Sequence, residues 1–477
     1  MTSVARPVQK RARTVQIPRE VMHRYERRVT LNPSAVAELT GQHALEVTVQ
    51  RSPLRIYPAQ AYRDAGARIV TELSPEKPLM FGVKQIPADV FKENGVYVFF
   101  GHVTKGQPEN MNMLQNIVDA RATYVDYEYI TNDRGERLVA FGRFAGIVGM
   151  TDSLHLLGRR LDVMGIENPF LSVRQAFDYS GEDAIDQIKA QLGKIGKDIK
   201  KNGLPDGMPP MIVGFTGGGR CGQGSLEIYN ALGAKSLSPS DLLDPATLQS
   251  LSRNEVYSVL FDRIGPNGRY QRIDGRPGSK TDLDADPEAY ESTMGRYLHL
   301  FTLLMNNALW KPGQPALVSR DLMASALSTS DNRLVAIGDV GCDVFNATTG
   351  QGPMHGTLAG TKPENPFYVY NPSTGRITYG VNGTGIPVNA VETMPCELPA
   401  VSAAEFSRML LPFVSGIASA EYNQPFAVGR NSLPPQIRNA VIVWRGEFTP
   451  RYADNQLMLD ALIEHGAELK DKHDVNI

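Results

Sequence analysis

Three polar residues of a kind that transfers protons each stand directly after an apolar run of the sequence. Lys84, His102 and Glu128 follow LMFGV, VYVFFG and ATYVDY, respectively. If these runs are parallel strands, their carboxyl ends line the crevice where open α/β sheets bind ligands. A lysine desolvated at such a place releases its proton more readily, and histidine titrates near neutral pH. The pattern predicts an acid–base site, although each residue alone also fits a solvated position after a strand.

The segment RYERRVTLNP places Glu26, Arg27 and Arg28 ahead of an N-terminal strand. Guanidinium groups bind carboxylates through two parallel hydrogen bonds. The segment therefore suits the binding of a substrate carboxylate. The residues themselves leave a surface charge run open as the alternative.

A glycine cluster follows the apolar run MIVGF and precedes a helical pattern. Gly217, Gly219 and Gly222 have the spacing G-x-G-x-x-G. Such glycines permit a tight turn and a close approach to a pyrophosphate, whose charge is stabilised at a helix N-terminus. Because a strand precedes the cluster and a helix follows it, a dinucleotide site is favoured over an ordinary glycine-rich turn.

The residues after this cluster bear on the choice of cofactor. Enzymes that bind NAD usually carry an acid about twenty residues on, for the ribose hydroxyls, but Leu237 and Ser238 stand there. The missing negative charge tolerates a 2′-phosphate, which Arg220 or Lys235 would bind. NADP(H) is therefore favoured, and Asp241 keeps NAD(H) possible.

From Val29 to about Ala140, short apolar runs alternate with helical patterns, and this alternation predicts an α/β unit with a largely parallel sheet. The predicted strands are Leu45–Val49, Leu79–Val83, Val96–Phe100, Ala122–Tyr127 and Arg137–Phe141.

A second α/β pattern follows the first. Phe144–Val163 has apolar residues at helical spacing and no internal proline, which predicts a long connecting helix. The run GLPDGMPP then interrupts the chain, and the second pattern begins at Met211. A length of 477 residues favours two domains.

Composition excludes several classes of partner. The formal net charge is −2, which gives no electrostatic support for nucleic acid or an anionic membrane surface. No apolar stretch approaches the ~20 residues that span a bilayer. Cys221, Cys342 and Cys396 lie far apart, which indicates neither a metal site nor a disulfide framework and fits a reducing compartment.

Residues 1–19 hold five basic residues and no acid. A mitochondrial transit peptide has such a bias, but the segment is poor in serine and lacks an amphipathic period. It is therefore interpreted as a flexible basic tail, with a cytoplasmic location expected and the mitochondrial matrix as the alternative.

Longer segments resemble one family closely. They are ERRVTLNP, FGVKQIP, YVFFGHVTKGQPENM, YVDYEYITNDRGERLVAFGRFAGIVGM and LHLLGRRLDVMGIENPF. They resemble the lysine–2-oxoglutarate reductase half of the bifunctional α-aminoadipic semialdehyde synthase. The loop TGGGRCGQG is nearer to the stand-alone, lysine-forming saccharopine dehydrogenase. Both families are related to alanine dehydrogenase and to the transhydrogenase α subunit, and the resemblance covers about Tyr25 to Val414.

The resemblance implies roles for individual residues. Lys84 and His102 match the catalytic lysine and histidine. Positions lining the substrate site match Glu26, Arg28, Glu128 and Arg137, and Glu128 would set the charge state of the catalytic pair. The dinucleotide loop matches Gly217, Gly219 and Gly222, and segments that approach the nicotinamide match Asn306 and Asp339.

The resemblance also implies an architecture. Two Rossmann-like domains with parallel sheets and an interdomain cleft are expected, the first of them discontinuous. We predict a substrate domain at residues 20–145 and 388–477 and a dinucleotide domain at residues 146–387.

The function implied is the interconversion of L-lysine, 2-oxoglutarate and NAD(P)H with saccharopine and NAD(P)+ through an imine. Small-molecule substrates are the expected partners, and a homo-oligomer is possible. Since the sequence ends at Ile477 without the semialdehyde-forming half, a monofunctional reductase is expected. A related amino-acid or opine-type dehydrogenase is one alternative, and a nucleotide-binding sensor without catalysis is another.

Two departures from the family pattern bear on the substrate. Gln85 follows Lys84 where the stand-alone enzyme carries an acid, and Phe345–Gly356 differs from the G-G-x-I-E-F stretch of the bifunctional enzyme. The first difference removes an acid that would tune the lysine. The second falls near the expected active cleft and concerns the identity of the substrate more than hydride chemistry.

Overall fold

The computed structural model describes the backbone of residues 12–474 and the side chains of residues 12–467. Two compact units are present. Unit 1 runs up to Ala140 and again from Pro399, and unit 2 is Phe141–Leu398. The boundaries drawn from the sequence, at residues 145 and 387, fall inside a helix and a strand of unit 2.

Strands are numbered in chain order. They are β1 Val15–Ile17, β2 Val47–Gln50, β3 Arg68–Val70, β4 Leu79–Phe81, β5 Val96–Phe99, β6 Thr123–Asp126, β7 Met211–Thr216, β8 Lys235–Leu237, β9 Val256–Phe261, β10 Tyr270–Arg272, β11 Tyr290–Ser292, β12 Leu303–Asn306, β13 Ala336–Asp339, β14 Phe367–Asn371, β15 Arg376–Tyr379, β16 Ile386–Asn389, β17 Val441–Trp444 and β18 Glu447–Phe448.

The α-helices are numbered in the same way. They are α1 Pro33–Gly41, α2 Ala59–Asp64, α3 Met111–Asp119, α4 Gly142–Val163, α5 Ala184–Asn202, α6 Arg220–Tyr229, α7 Pro245–Ser250, α8 Lys280–Ala285, α9 Arg320–Ser328, α10 Pro399–Ser419, α11 Phe426–Gly429, α12 Pro435–Arg438 and α13 Gln456–Asp474.

The sheet of unit 1 has the order β18-β17-β6-β5-β4-β1-β2-β3. Strands β1 to β6 are parallel, and β17 and β18 add an antiparallel edge. Read from β3 to β6, the parallel order is 3-2-1-4-5-6, the Rossmann order, so the order in which strands are added to the sheet reverses between β1 and β4. The central strands are buried at every position, as a sheet covered on both faces requires.

The prediction that residues 1–19 form a flexible tail is wrong for residues 15–17. Val15, Gln16 and Ile17 are buried and form β1, which pairs with β2 on one side and β4 on the other. The apolar residues of this short strand bury their side chains at the centre of the sheet, and this burial fixes the segment. Residues 1–11 of the predicted tail lie outside the described residues.

Four of the five predicted strands of this unit are confirmed, with shorter bounds. The fifth, Arg137–Phe141, is wrong. A turn closed by Asn132 and Glu136 brings Arg137 back to a single antiparallel bridge with Thr131. Helix α4 then begins at Gly142.

The main sheet of unit 2 has the order β15-β14-β16-β13-β12-β7-β9-β8. Six neighbouring strands of this sheet are parallel, namely β8, β9, β7, β12, β13 and β16 in sheet order. Strands β14 and β15 are antiparallel. Strands β10 and β11 form a separate ribbon. The predicted α/β class with two Rossmann-like, largely parallel sheets is confirmed.

The long helix α4 belongs to unit 2, where it packs along α6. The Ser225 hydroxyl donates to the Gly146 carbonyl at 2.9 Å, and Arg143 binds Glu227 through two hydrogen bonds of 2.8 Å. These contacts hold the helix that follows the glycine cluster. Among residues 12–474, no helix combines the length and hydrophobicity needed to cross a bilayer.

Two carboxyl groups, Asp152 of α4 and Glu397, are buried together in unit 2 and interact electrostatically. Asp152 also accepts the Ala176 amide at 2.7 Å, and Glu397 accepts the Gln175 side chain at 3.2 Å. Burial raises the pKa of both groups, that of Asp152 to about 7. Buried carboxylates in contact do not both ionise readily, so the pair keeps a proton into the neutral range.

Replacing Glu397 by Gln is expected to stabilise the protein progressively as the pH rises. The raised pKa means that the folded state holds more protons than the unfolded state above the unfolded value of ~4. The contribution of the pair to stability is therefore complete at lower pH and is lost as the pH rises through about 7. Thermal unfolding from about pH 5.5 to about pH 8.5 should show an increasing Tm advantage of Glu397→Gln. The exposed Asp331→Asn is the control, and a Tm difference that does not vary with pH would contradict the assignment.

Candidate active site

The three predicted acid–base residues of unit 1 follow adjacent parallel strands. Lys84 lies three residues after β4, His102 three after β5 and Glu128 two after β6. Because β4, β5 and β6 are neighbours in the sheet, their carboxyl ends bring these residues to the same edge.

His102 has a left-handed backbone conformation, with φ 53°. A non-glycine residue in this region is strained by about 1–3 kcal/mol and persists only where its surroundings fix it. The buried carboxylate of Asp126 does so, since its Oδ2 accepts the amides of Gly101 at 3.2 Å and His102 at 3.3 Å. The same oxygen accepts the Tyr124 hydroxyl at 2.6 Å.

Glu128 connects the histidine to an arginine. Its Oε2 lies 3.3 Å from His102 Nδ1, and its Oε1 accepts Arg137 Nη2 at 2.6 Å. Burial opposes ionisation, but the hydrogen bond from His102 and the charge of Arg137 outweigh it and lower the pKa of Glu128 to about 2. With Nδ1–H donated to this carboxylate, Nε2 is the nitrogen that can exchange a proton with a substrate.

Glu26 and Arg28 form a buried ion pair. Arg28 Nε and Nη2 donate to the two oxygens of Glu26 at 2.8 and 2.6 Å. The residues are 1% and 4% exposed, respectively. The sequence suggested that this arginine binds a substrate carboxylate through its fork, but here the fork binds a carboxylate of the protein.

Lys84 and the Glu128–Arg137 pair line different depressions of unit 1. Lys84 lines a cleft of about 370 Å³ with Glu20 and Gln85. Glu128 and Arg137 line a pocket of about 530 Å³ whose wall includes Arg451. The Arg137 side chain is 49% exposed, so it can meet a ligand while it holds Glu128.

The glycine cluster of unit 2 forms the loop between β7 and α6. Gly217 has φ 132°, and a Cβ at Gly222 would lie 1.8 Å from the Gly217 carbonyl oxygen. Gly219 precedes α6 and is open, since a Cβ there would meet nothing within 4 Å. Arg220 is exposed at the start of the helix. An exposed loop at the N-terminus of a ten-residue helix fits a pyrophosphate.

Asn306 and Asp339 end the paired strands β12 and β13. Both side chains are fully buried, and the Asn306 amide donates to Asp339 at 2.8 Å. Asn306 also accepts the Thr216 hydroxyl, and Asp339 accepts that of Thr357. Burial raises the pKa of Asp339. The two side chains therefore link the carboxyl ends of β12 and β13.

The order of strands in the sheet bears on which residue stands where NAD-binding proteins carry an acid for the ribose. Spacing along the chain selected Ser238, which follows β8, but β8 is the edge strand and β9 lies next to β7. The residue after β9 is Asp262, level with the glycine loop because Phe261 pairs with Thr216. Asp262 is exposed, whereas Asp241 accepts the Ser238 amide at 2.7 Å. An acid therefore stands at the strand end nearest the loop.

Comparison with known proteins finds one matching family model and several relatives. Residues 16–148 match the family described as alanine dehydrogenase/PNT, N-terminal domain. The chain is 32% identical to the α-aminoadipic semialdehyde synthase of Arabidopsis thaliana over 92% of its own length and 41% of that protein. It is 29% identical to the mitochondrial enzyme of Bos taurus over 91% of its length and 46% of that protein. The chain thus spans less than half of the length of these relatives.

A second group of relatives has nearly the length of this chain. The chain is 25% identical to the saccharopine dehydrogenase [NAD(+), L-lysine-forming] of Yarrowia lipolytica, over 81% of the chain and 88% of that protein. The resemblance predicted from the sequence is confirmed. Among solved structures, L-alanine dehydrogenase matches with a TM-score of 0.56 and 17% identity, covering 94% of this chain and 99% of that one, which supports the fold alone.

Two further acids of the segment similar to alanine dehydrogenase/PNT, Asp126 and Glu20, were not predicted as site residues. Asp126 stands in the same YVDYEY run as Glu128, so a buried acid directly at a strand end was the available signal. Glu20 accepts hydrogen bonds from the amides of Val83 and Lys84. A strand of three residues before it was too short to recognise.

Proposed function

We propose that this protein is a nicotinamide-dependent oxidoreductase that interconverts L-lysine and 2-oxoglutarate with saccharopine. The names of its relatives support an oxidoreductase that acts on amino acids. The observation that carries the finer proposal is the chain of contacts from Arg137 through ionised Glu128 to His102, beside the strand that leads to Lys84.

The proposed reaction begins with the amine of lysine attacking the keto carbon of 2-oxoglutarate. Loss of water from the carbinolamine gives an imine, and reduction gives a secondary amine. His102 and Lys84 transfer the protons that addition and dehydration require, and each such transfer contributes about 10²- to 10⁴-fold. Glu128 remains a carboxylate that orients His102. Arg137 offers its exposed face to a substrate carboxylate, which fixes the substrate relative to these groups.

A nicotinamide dinucleotide supplies the hydride when it is bound. We assign its pyrophosphate to the loop of Gly217, Gly219 and Gly222, and its adenosine ribose to the end of β9. Arg28, with its fork on Glu26, is assigned to the support of the substrate segment rather than to direct binding through that fork.

A substrate panel tests the function. Lysine, ornithine, alanine and ammonia would each be combined with 2-oxoglutarate and with pyruvate, and oxidation of NADH and NADPH would be followed. We expect turnover with lysine and 2-oxoglutarate to exceed that of every other pair. A preference for ammonia and pyruvate would instead identify an alanine-dehydrogenase-type enzyme, and nucleotide binding without turnover of any pair would overturn the proposal.

Replacing Asp262 by Ser is expected to move cofactor preference towards NADPH. In the parent protein the exposed carboxylate repels a 2′-phosphate, while the neighbouring Arg263 is paired with Asp284 and Arg269 is buried. The sequence favoured NADP(H), but Asp262 favours NAD(H). We expect the ratio of Kd values for NADPH and NADH to fall by about tenfold in Asp262→Ser, from the loss of about 1.4 kcal/mol of discrimination. Asp241→Ser is the control, and an unchanged ratio would refute the assignment.

A further inference from the structure

Glu20 holds the backbone at the base of Lys84 with both oxygens of its carboxylate. Oε1 accepts the Val83 amide at 2.7 Å, and Oε2 accepts the Lys84 amide at 3.1 Å. Hydrogen bonds to a charged acceptor are about twice as strong as neutral ones. The two contacts therefore fix the direction in which the chain leaves β4.

The contact between Glu20 and the backbone before Lys84 lies at the carboxyl ends of two neighbouring strands of unit 1. Glu20 follows β1 by three residues and Lys84 follows β4 by three. These two strands flank the point at which the order of the sheet reverses, where open α/β sheets bind their ligands. Both residues line the cleft of about 370 Å³.

Several charged groups surround the Glu20 carboxyl group. Burial and the negative charge of Glu26 raise its pKa to about 7, against the two amide hydrogen bonds and Arg28, which favour the ion. Arg55 and Tyr127 also interact with it electrostatically. The remaining charged residues of the cleft are Arg19, Glu72, Lys84, Asp89 and Lys92. Glu20 therefore changes between its protonated and ionised forms near neutral pH.

We propose that Glu20 is a positioning residue of the reaction site, whose ionised carboxylate holds Lys84 in its working orientation. The inference rests on the proposed function only in taking Lys84 to be the proton-transferring residue. The ionised form accepts both amides with charged oxygens, whereas in the protonated form one of the two oxygens is a hydroxyl, which is a weaker acceptor. Lys84 is therefore held most firmly when Glu20 is charged.

Glu20→Gln tests the proposal through the pH dependence of kcat/KM. Protonated Glu20 resembles glutamine, so the ratio of parent to variant should be near one at about pH 5.5 and should rise through pH 7 to about 10- to 100-fold at about pH 8.5. The ratio cancels every pH effect that the two proteins share. Glu72→Gln, on the rim of the same cleft, should keep the parental profile.

A second measurement is independent of turnover. Pulse acylation of lysines, followed by mass spectrometry across the same pH range, reports the reactivity of Lys84 in the absence of substrates. We expect the rate at Lys84 to differ between parent and Glu20→Gln only above about pH 7, with the rate at Lys92 unchanged.

The two measurements separate this inference from the function. A ratio that is constant with pH, or Lys84 acylation that is equal in both proteins at every pH, would overturn the role of Glu20. Failure of the lysine and 2-oxoglutarate pair with retained pH-dependent acylation would overturn the function and leave the role of Glu20 supported.

Discussion

Lys84→Met and His102→Gln should each lower kcat by about 10²- to 10⁴-fold, the range found when a general acid or base is removed. Both substitutions retain side-chain volume and remove the group that exchanges a proton. The affinity for NADH should be unchanged, because the proposed dinucleotide loop belongs to unit 2 and these residues belong to unit 1. Steady-state kinetics with saturating substrates, together with fluorescence titration of NADH, would measure both quantities.

Matched variants make this result specific. Lys92→Met removes another lysine of the same cleft, and His43→Gln removes an exposed histidine of unit 1. Both should retain parental turnover. Turnover near the parental value in Lys84→Met and His102→Gln, with dinucleotide binding intact, would remove the two residues from the chemistry.

Arg28→Met should destabilise unit 1 by about 3–5 kcal/mol, because it removes the guanidinium that neutralises the buried carboxylate of Glu26. Glu26 is 1% exposed, so water cannot replace the lost guanidinium without rearrangement. For a unit of roughly 200 residues, a loss of this size lowers Tm by about 6–20 °C. Thermal unfolding followed by circular dichroism would measure it.

The double variant Glu26→Gln/Arg28→Met should recover most of this stability, because it removes both buried charges. Arg27→Met is the neighbouring control, since the Arg27 guanidinium donates to the Leu54 carbonyl, at 3.4 Å, and not to Glu26. If Arg28→Met unfolds at the parental temperature, the pair contributes nothing to stability, and a direct role for Arg28 in carboxylate binding regains weight.

Much of the fold could be predicted because its central strands are continuous apolar runs. LMFGV, VYVFFG and ATYVDY are long enough to recognise, and each proved to contain a strand. Val15–Ile17 was missed because its apolar residues follow a basic segment and number only two. Arg137–Phe141 has a strand-like composition, but a local turn uses Arg137 to close on Thr131.

The candidate site could be predicted less completely, because contacts between distant residues decide it. Strand ends indicated His102 and Glu128, and the structure brings them within 3.3 Å. Spacing along the chain selected Ser238 for the ribose, but strand order puts Asp262, not Ser238, at the strand end beside the glycine loop. The order of strands within a sheet cannot be counted from residue numbers. The buried pairing of Arg28 with Glu26 had no signal beyond their nearness in sequence.

Unit 1 is assembled from both parts of the chain, and this has a consequence for synthesis on the ribosome. Strand β6 receives its antiparallel partner only from β17, and Ser407 of α10 binds the backbone of Thr30 and Asn32. Unit 2 is continuous and can fold as soon as it emerges, while β6 waits with an open edge until residues 441–448 arrive. An unpaired edge strand attracts other chains. Nascent chains that stall between the end of unit 2 and β17 should therefore be the most prone to aggregate and the most dependent on chaperones.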